Sequence, residues 1–390
     1  MAAGDLLDIA LNEDRHITVF PGYCKRVRFR KSNCRICLDV CPENAISLHP
    51  GPTINSGCSD CGLCQNACPT EVFQNELSTD WHLLNQARSF LGKDRPPGEK
   101  RRLRIHCHFT EGQNSDSLSV PCLGRITENI LLGAAVSGFD GVELARGICT
   151  ECRLKQGEKL LTYAITTSRG VLESMGLGRF SIRVMERKIK KEKKEVLSRR
   201  EIFSKTSKKV KDKATFFLYH KEKAIRENVQ EILGNKREAG NGKRRSPRRE
   251  FLRKLLKPKK GANGIVAQYK PDFPWKKIEI DEERCSACGT CQALCPTGAI
   301  SKKREQGSEL AYFTGSSCTN CFLCKEACPE HAIQFEEKFS LVDLLEDEEI
   351  VVARVDVTSC FLCGEVITAG KGKLCSTCRK RQVHPMHIKV

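Results

Sequence analysis

The sequence predicts an α+β protein of several domains, organised around metal as much as around hydrophobic cores. Three observations carry that expectation. The chain holds 24 cysteines in 390 residues, clustered in groups that are multiples of four. Between its two cysteine-rich ends, over about residues 101–187, the chain switches between strand-like alternation and helical apolar spacing. Its net charge of +18 is confined to one stretch. A chain of this length has room for two to four domains.

So many cysteines mean either disulfides in a secreted protein or thiolate–metal sites in a reducing compartment. The N-terminal MAAGDLLDIALNEDRH places Asp5, Asp8, Glu13 and Asp14 where a signal peptide needs basic and apolar residues. The best apolar run, Asn129 to Phe139, is about half the roughly twenty residues of a membrane span. The expectation is a soluble, cytoplasmic protein without a transmembrane segment, whose cysteines serve metals. Eight cysteines lie between positions 24 and 68, four between 107 and 152, eight between 285 and 328, and four between 360 and 378. Four is the thiolate count of an iron–sulfur cluster or a closed zinc site. The groups therefore give six sites with no remainder, provided Cys24 is a ligand.

Three runs have the spacing C-x2-C-x2-C-x3-C-P: Cys58, Cys61, Cys64, Cys68; Cys285, Cys288, Cys291, Cys295; and Cys318, Cys321, Cys324, Cys328. Two-residue gaps let one tight loop aim three sulfurs at a cluster, while the fourth cysteine reaches a different one. Glycine after cysteine, as in Cys61-Gly62 and Cys288-Gly289, admits a left-handed backbone. Proline after the fourth cysteine fixes φ where a donor is dispensable. A fourth run is incomplete. In GYCKRVRFRKSNCRICLDVCP, Cys34, Cys37 and Cys41 keep the spacing, but Lys31 stands at the first cysteine's place, and Cys24 lies seven residues earlier. Structural zinc sites use two CxxC pairs and do not account for these runs.

The repeats CPENAI, CPTEVF, CPTGAI and CPEHAI, in two tandem pairs, resemble bacterial two-cluster [4Fe–4S] ferredoxins over roughly residues 20–76 and 280–336. The resemblance implies ligand exchange between paired runs. Cys285, Cys288, Cys291 and Cys328 would hold one [4Fe–4S] cluster, and Cys318, Cys321, Cys324 and Cys295 another. Cys58, Cys61, Cys64 and Cys41 would make a regular third. Cys34, Cys37 and Cys68 then need a fourth partner, and Cys24 is the cysteine left within reach. The intervening KRVRFRKSN becomes an inserted basic loop beside that cluster, raising its potential. A three-cysteine [3Fe–4S] site is the rival.

Between these modules, RRLRIHC, SLSVPC, DGVELARG and FSIRVME read as strands, and GRITENILLGAAVSG and CRLKQGEKLLTYAITTSRGVLESMG as helices. Cys107, Cys122, Cys149 and Cys152 would fall at the carboxyl edge of a small, largely parallel sheet. Only nine residues separate Cys107 from Ser117, few for a parallel crossover. The segment VPCLGRITENILLGAAVSGFDGVELARGICTEC resembles the delta subunit of methyl-viologen-reducing hydrogenases, also found fused to heterodisulfide-reductase-like proteins, over about residues 101–187. That implies a [2Fe–2S] cluster on the four cysteines. Where the family usually opens with a CxxC pair, this chain has the lone Cys107. His106 and His108 are alternative ligands of Rieske type, and CTEC (149–152) is alternatively a thioredoxin-like dithiol. Near the C-terminus, Cys360-x2-Cys363-Gly364 and Cys375-x2-Cys378 read as the two knuckles of a zinc ribbon, with rubredoxin-like iron as the alternative.

Between Arg187 and Lys260 the chain carries 28 Lys+Arg against 9 Asp+Glu, and the remainder is nearly neutral. Six metallated tetrathiolate sites, each near −2, would leave the whole near +6. This strap reads as a solvated linker or as a dock for an acidic protein surface, with nucleic acid or anionic lipid less favoured. A helix is expected at Lys211–Leu233. SRREIF and PRREFLRK resemble twin-arginine signals, but they are internal and no apolar run follows.

The expected organisation is a dicluster ferredoxin domain at 1–78, a helical connector at 79–100, a hydrogenase-delta-like α/β domain at 101–187, a polybasic and partly helical linker at 188–274, a second dicluster domain at 275–340 and a zinc-ribbon-like segment at 341–390. No dinucleotide or Walker loop is found. The sequence therefore predicts an electron-transfer subunit of anaerobic metabolism. It would carry four [4Fe–4S], one [2Fe–2S] and one zinc, and relay electrons among flavoprotein, hydrogenase or formate dehydrogenase partners. The rivals are a thiol/disulfide reductase subunit and a nucleic-acid-binding iron–sulfur protein.

Overall fold

The computed structural model describes residues 17–75, 78–92, 98–111, 116–188, 243–257, 275–336, 341–370, 372–375 and 378–379. These residues belong to one compact unit. Most of the basic strap, including Lys211–Leu233 and SRREIF, lies outside them. No helix among the described residues is long and apolar enough to cross a membrane.

The largest core lies under the central sheet. Four parallel strands run in the order Ser117–Val120, Arg102–Cys107, Gly141–Arg146, Ser181–Glu186. The short crossover after Cys107 is accommodated because the outer strand has only four residues. Ser117 sits opposite Arg104, so the chain retraces just three residues before pairing begins. Helix Gly157–Ser174 buries Leu161, Ala164, Ile165, Ser168, Val171 and Leu172, the stripe its helical spacing dictates. Helix Glu128–Ser137 is buried through its first seven residues. A helix covered on all sides needs a partner on its outer face, and residues from the basic strap supply one.

That partner is helix Pro247–Leu256, which begins with the segment PRREFLRK. Ser246 caps it by accepting from the Arg249 amide, and Pro247 occupies the first turn, where its missing N–H costs nothing. Leu252, Leu255 and Leu256 enter the central core. Arg249 and Arg253 are buried too. This part of the strap is thus interior, and the solvated-linker expectation does not hold for it. Its cationic groups find partners far along the chain: Arg253 bonds the Leu345 carbonyl and Asp347, and Arg248 pairs with Glu128.

Two modules of similar plan flank this body. In the first, Ile17–Val19 pairs antiparallel with Phe73–Asn75, and Ile46–Ser47 with Thr53–Ile54. In the second, Lys277–Ile280 pairs with Ile333–Glu336, and Ile300–Glu305 with Ser308–Thr314. The second hairpin is longer. Strand Glu349–Ser359 pairs with Ser308–Thr314, and Val366–Thr368 adds to it, giving a four-stranded antiparallel sheet. The short helix Leu341–Leu345 meanwhile sends Leu341, Leu344 and Leu345 into the central core.

Candidate metal centres

All 24 cysteines fall among the described residues, and none forms a disulfide. Their loops repeat a backbone device. After each Cys-Pro, the third residue beyond the cysteine takes positive φ: Asn44, Glu71, Gly298 and His331. In the three complete runs, both the residue before and the residue after the second cysteine are also left-handed: Asp60 and Gly62, Ala287 and Gly289, Asn320 and Phe322. At the incomplete run the equivalent residue after Cys34 is Arg35, with φ −138. The missing cysteine has therefore changed the front of that loop and left its Cys-Pro end intact.

Cys24 is nonetheless brought in among the cluster cysteines. It is 7 % exposed and shares a small core with Cys37, Cys64, Cys68, Val72 and Phe73. The Cys37 thiol is pushed up to about 12, first by burial and then by the negative neighbours Cys68, Cys34 and Cys24. Those four are the quartet expected from the sequence. In the second quartet, burial raises Cys64, reinforced by Cys61, Cys58 and Cys41. Burial raises Cys58 and Cys61 as well. Cys41, Cys58, Cys61 and Cys64 line one cavity.

The C-terminal module repeats the arrangement. Cys285, Cys288, Cys291 and Cys328 line a cavity with Lys302 at its edge. Burial, then Cys285, Cys288 and Cys328, push Cys291 up to about 11. Cys288 alone in this quartet is lowered: burial opposes, but Thr290, Ser286 and Lys302 outweigh it. In the last quartet, burial carries Cys318 to about 12 and Cys321 to about 11. Cys324 rises through burial and its neighbours Cys318, Cys321 and Cys295.

In the central sheet, Cys107 ends strand Arg102–Cys107, Cys122 follows Ser117–Val120, and Cys149 and Cys152 follow Gly141–Arg146. All four lie at carboxyl ends, as anticipated. Cys122 is pushed up to about 12 by burial, opposed by the Gly124 amide and reinforced by Cys152 and Cys149. Cys149 is raised by burial against the pull of Arg146, with Cys152 and Cys107 adding to the rise. Cys107, the residue with least support in the sequence, is thus near enough to act on Cys149 electrostatically. Close packing holds the site against the first module. A Cβ on Gly124 would lie 2.8 Å from Leu63 Cδ2 of the first module, and one on Gly157 would lie 3.2 Å from the same atom and 2.4 Å from the Cys122 Sγ.

The C-terminal quartet differs in scale. The Sγ atoms of Cys360, Cys363, Cys375 and Cys378 all lie within 4.8 Å of one another. A tetrahedral Zn–S bond of about 2.3 Å requires sulfurs about 3.8 Å apart, so this cage suits one ion. Among the described residues no other group of three or more metal-ligating side chains is so tight. The remaining quartets are wider, as a polynuclear cluster requires. Amides of Cys375 and Cys378 donate to the sulfurs of Cys360 and Cys375, and the Cys375 amide leads in lowering the Cys360 thiol to about 6.

The donor sets thus fit the groups they imply. Buried thiols that raise one another's pKa are poor as free thiols and apt as ligands to a cationic metal core. Further amide-to-sulfur hydrogen bonds run from Ala45 to Cys41, Gly124 to Cys122, Leu154 to Cys152, Asn320 to Cys318 and Ala332 to Cys328. Such bonds stabilise thiolate charge and tune potential.

Two family profiles match. Residues 277–329 match the 4Fe-4S dicluster domain, and residues 105–211 match the methyl-viologen-reducing hydrogenase delta subunit. An uncharacterized ferredoxin of Methanocaldococcus jannaschii is 32% identical over 57 residues, 15% of this chain and 74% of its own length. The chain belongs to the dicluster [4Fe–4S] ferredoxin family. Among other relatives of these ferredoxins, pyruvate synthase subunit PorD of Methanothermobacter marburgensis is 32% identical over 66 residues, 16% of this chain and 73% of that subunit. Polyferredoxin protein MvhB of Methanothermus fervidus is 35% identical over 97 residues, 25% of this chain and 22% of the polyferredoxin. The chain thus spans about a fifth of that long relative and about three quarters of the two short ones. As a dicluster ferredoxin it is an iron–sulfur electron-transfer protein.

The sequence reading missed the arginines of the returning chain. Buried Arg249 donates to the Cys318 carbonyl at 2.7 Å and lies 4.8 Å over the Trp275 ring. Burial pulls its guanidinium down to about 10, so it remains charged at neutral pH. The available signal was Ser246-Pro247 followed by apolar residues at 252, 255 and 256, a helix start and stripe hidden in basic sequence.

Proposed function

We propose that the chain is a relay subunit. Its cysteine quartets would hold four [4Fe–4S] clusters, one [2Fe–2S] cluster on Cys107, Cys122, Cys149 and Cys152, and one zinc on Cys360, Cys363, Cys375 and Cys378. When bound, the clusters supply one-electron chemistry, while the polypeptide positions them and sets their potentials. The observation that carries the reading is the grouping of the cysteines: Cys41, Cys58, Cys61 and Cys64 line one cavity, Cys285, Cys288, Cys291 and Cys328 line another, and the tight C-terminal quartet stands apart.

The quartets are also neighbours. Cys61 acts electrostatically on Cys122, Cys37 on Cys64, and Cys291 on Cys324. That mutual influence supports passage from the central site through the first module, with a second pair of centres in series in the other. The likeness of residues 105–211 to a hydrogenase delta subunit favours a hydrogenase or heterodisulfide-reductase-like flavoprotein as one partner; formate dehydrogenase is the alternative of the same class. The zinc site moves no electrons and serves folding or docking.

Metal analysis of anaerobically purified full-length protein tests the assignment, which requires about eighteen irons and one zinc per chain. Iron far below that, or steady disulfide turnover by the chain alone at Cys149 and Cys152, overturns it in favour of a thiol reductase.

A further inference from the structure

The incomplete run departs from the others by the insert Lys25–Asn33, and those residues make a specific set of contacts. Lys25 and Arg28 sit three residues apart on one helical turn, Lys25–Arg28, and so share a face. Lys25 Nζ pairs with Glu326 Oε2 at 2.8 Å, and the Asn33 amide donates to Glu326 Oε1 at 3.1 Å. Arg28 donates from Nε to the Leu294 carbonyl at 2.7 Å and from Nη2 to the Ala293 carbonyl at 3.0 Å. These carbonyls end helix Thr290–Leu294 and lack intrahelical partners, which makes them natural acceptors for a cation.

Every one of these contacts crosses between modules and ends close to a cysteine of the last quartet. Leu294 precedes Cys295, and Glu326 lies between Cys324 and Cys328. Lys25 itself follows Cys24. A second tie comes from the returning chain. The Arg244 amide donates to the Pro296 carbonyl at 3.0 Å, while its guanidinium lies 4.2 Å over the Tyr23 ring and donates to the Glu71 carbonyl. Tyr23 precedes Cys24, and Pro296 follows Cys295.

We propose that the insert Lys25–Asn33, with Arg244, is a clasp that fixes the quartet Cys24, Cys34, Cys37, Cys68 against the quartet Cys295, Cys318, Cys321, Cys324, so that the two modules conduct as one line. Moving the ligand back from position 31 to Cys24 frees the residues that form the arm. Without the clasp the modules would be two separate ferredoxins served by different partners. The exchange it supports makes and breaks no bond and moves no proton; one centre gives up the single electron the other gains. This inference rests on the relay reading above.

The test uses the full-length, anaerobically prepared protein. A zero-length carbodiimide should join Lys25 to Glu326, and amides of residues 25–33 should be protected from hydrogen exchange. Arg28→Ala with Arg244→Ala should cut the cross-link at least fivefold, cut that protection at least tenfold, and weaken the magnetic interaction between the centres of the two modules in the reduced protein, with iron per chain unchanged. Absence of the native cross-link, or a double variant that keeps protection and magnetic interaction, overturns the clasp. Should the double variant lose iron, the exchanged pair Lys25→Glu with Glu326→Lys decides. Protection restored above that of Lys25→Glu alone supports the clasp, and no restoration overturns it. A wild-type chain deficient in iron instead overturns the relay reading, so the two failures are distinguishable.

Discussion

Asp80 joins the central sheet to the first cluster loop, and replacing it with asparagine should loosen that junction measurably. Its carboxylate accepts from Arg125 at 3.0 Å, Thr127 at 2.7 Å and Asn129 at 3.0 Å. Arg125 is 2 % exposed and also donates to the Ser78 carbonyl. Its side chain lies against Gly62, where an added Cβ would fall 2.5 Å from the Arg125 Cδ. Burial works to raise the Asp80 carboxyl, but Arg125, Arg248 and the Thr127 hydroxyl outweigh it and hold it below the ordinary aspartate value. Asp80→Asn leaves the Arg125 charge buried without its counter-ion, a loss typically of about 3–5 kcal/mol. The amide oxygen can still accept and Ser78 still receives Arg125, so about 3 kcal/mol is expected, roughly 150-fold in a local opening equilibrium. Hydrogen exchange of the slowest amides in strands Arg102–Cys107 and Gly141–Arg146 is the suitable assay, since metal-bound proteins rarely unfold in two states. The folded-state carboxyl is depressed, so its contribution is complete above the ordinary aspartate value near 3.8 and fades as pH falls below it. The gap between native and variant should therefore be constant from pH 5 to 7, roughly, and narrow only below about pH 4. A loss under about 1 kcal/mol at pH 7, or a gap that widens in acid, would refute the reasoning.

Other outcomes follow from the same geometry. Cys24→Ala should remove between one and about four irons per chain, according to whether a [3Fe–4S] centre survives, and leave zinc unchanged; retention of all iron refutes its role as ligand. Arg249→Leu removes a buried charge beside Cys318. Acting across roughly 8 Å at an effective dielectric near 20, that is about 2 kcal/mol, so one midpoint potential should fall by roughly 90 mV in a redox titration. Gly157→Ala drives a methyl into the Cys122 sulfur and should deplete the central site, cutting iron by about two per chain. Cys360→Ser should abolish zinc binding while leaving iron content unchanged, because its quartet is separate from the others.

Much of the site was legible because cluster loops are local. Four Cys-Pro turns with positive φ at Asn44, Glu71, Gly298 and His331 are dictated within a few residues of each cysteine. Counting pointed to Cys24 as well, since no other cysteine remained within reach, and Cys24 does share a buried cluster with Cys37 and Cys68. The parallel order of the central sheet followed from apolar runs ending in cysteine. Helix Pro247–Leu256 was hidden because its arginines read as solvated charge. They are interior only because Glu128, Asp347 and the Cys318 carbonyl, remote in sequence, receive them. Strand Glu349–Ser359 was missed as an extension of the second module for a similar reason. Its register against Ser308–Thr314 is set by cross-strand neighbours some forty residues away, with a shift between Ala311 and Tyr312.

The late arrival of Leu252, Leu255 and Leu256 in the central core bears on how the molecule is born. As the chain emerges from the ribosome, the parallel sheet is finished at Glu186 while the outer side of helix Glu128–Ser137 still waits for its cover. The nascent first half must stay partly open through synthesis of the whole basic segment. Closure then brings the C-terminal half into place just as its own cysteines become available for metal loading.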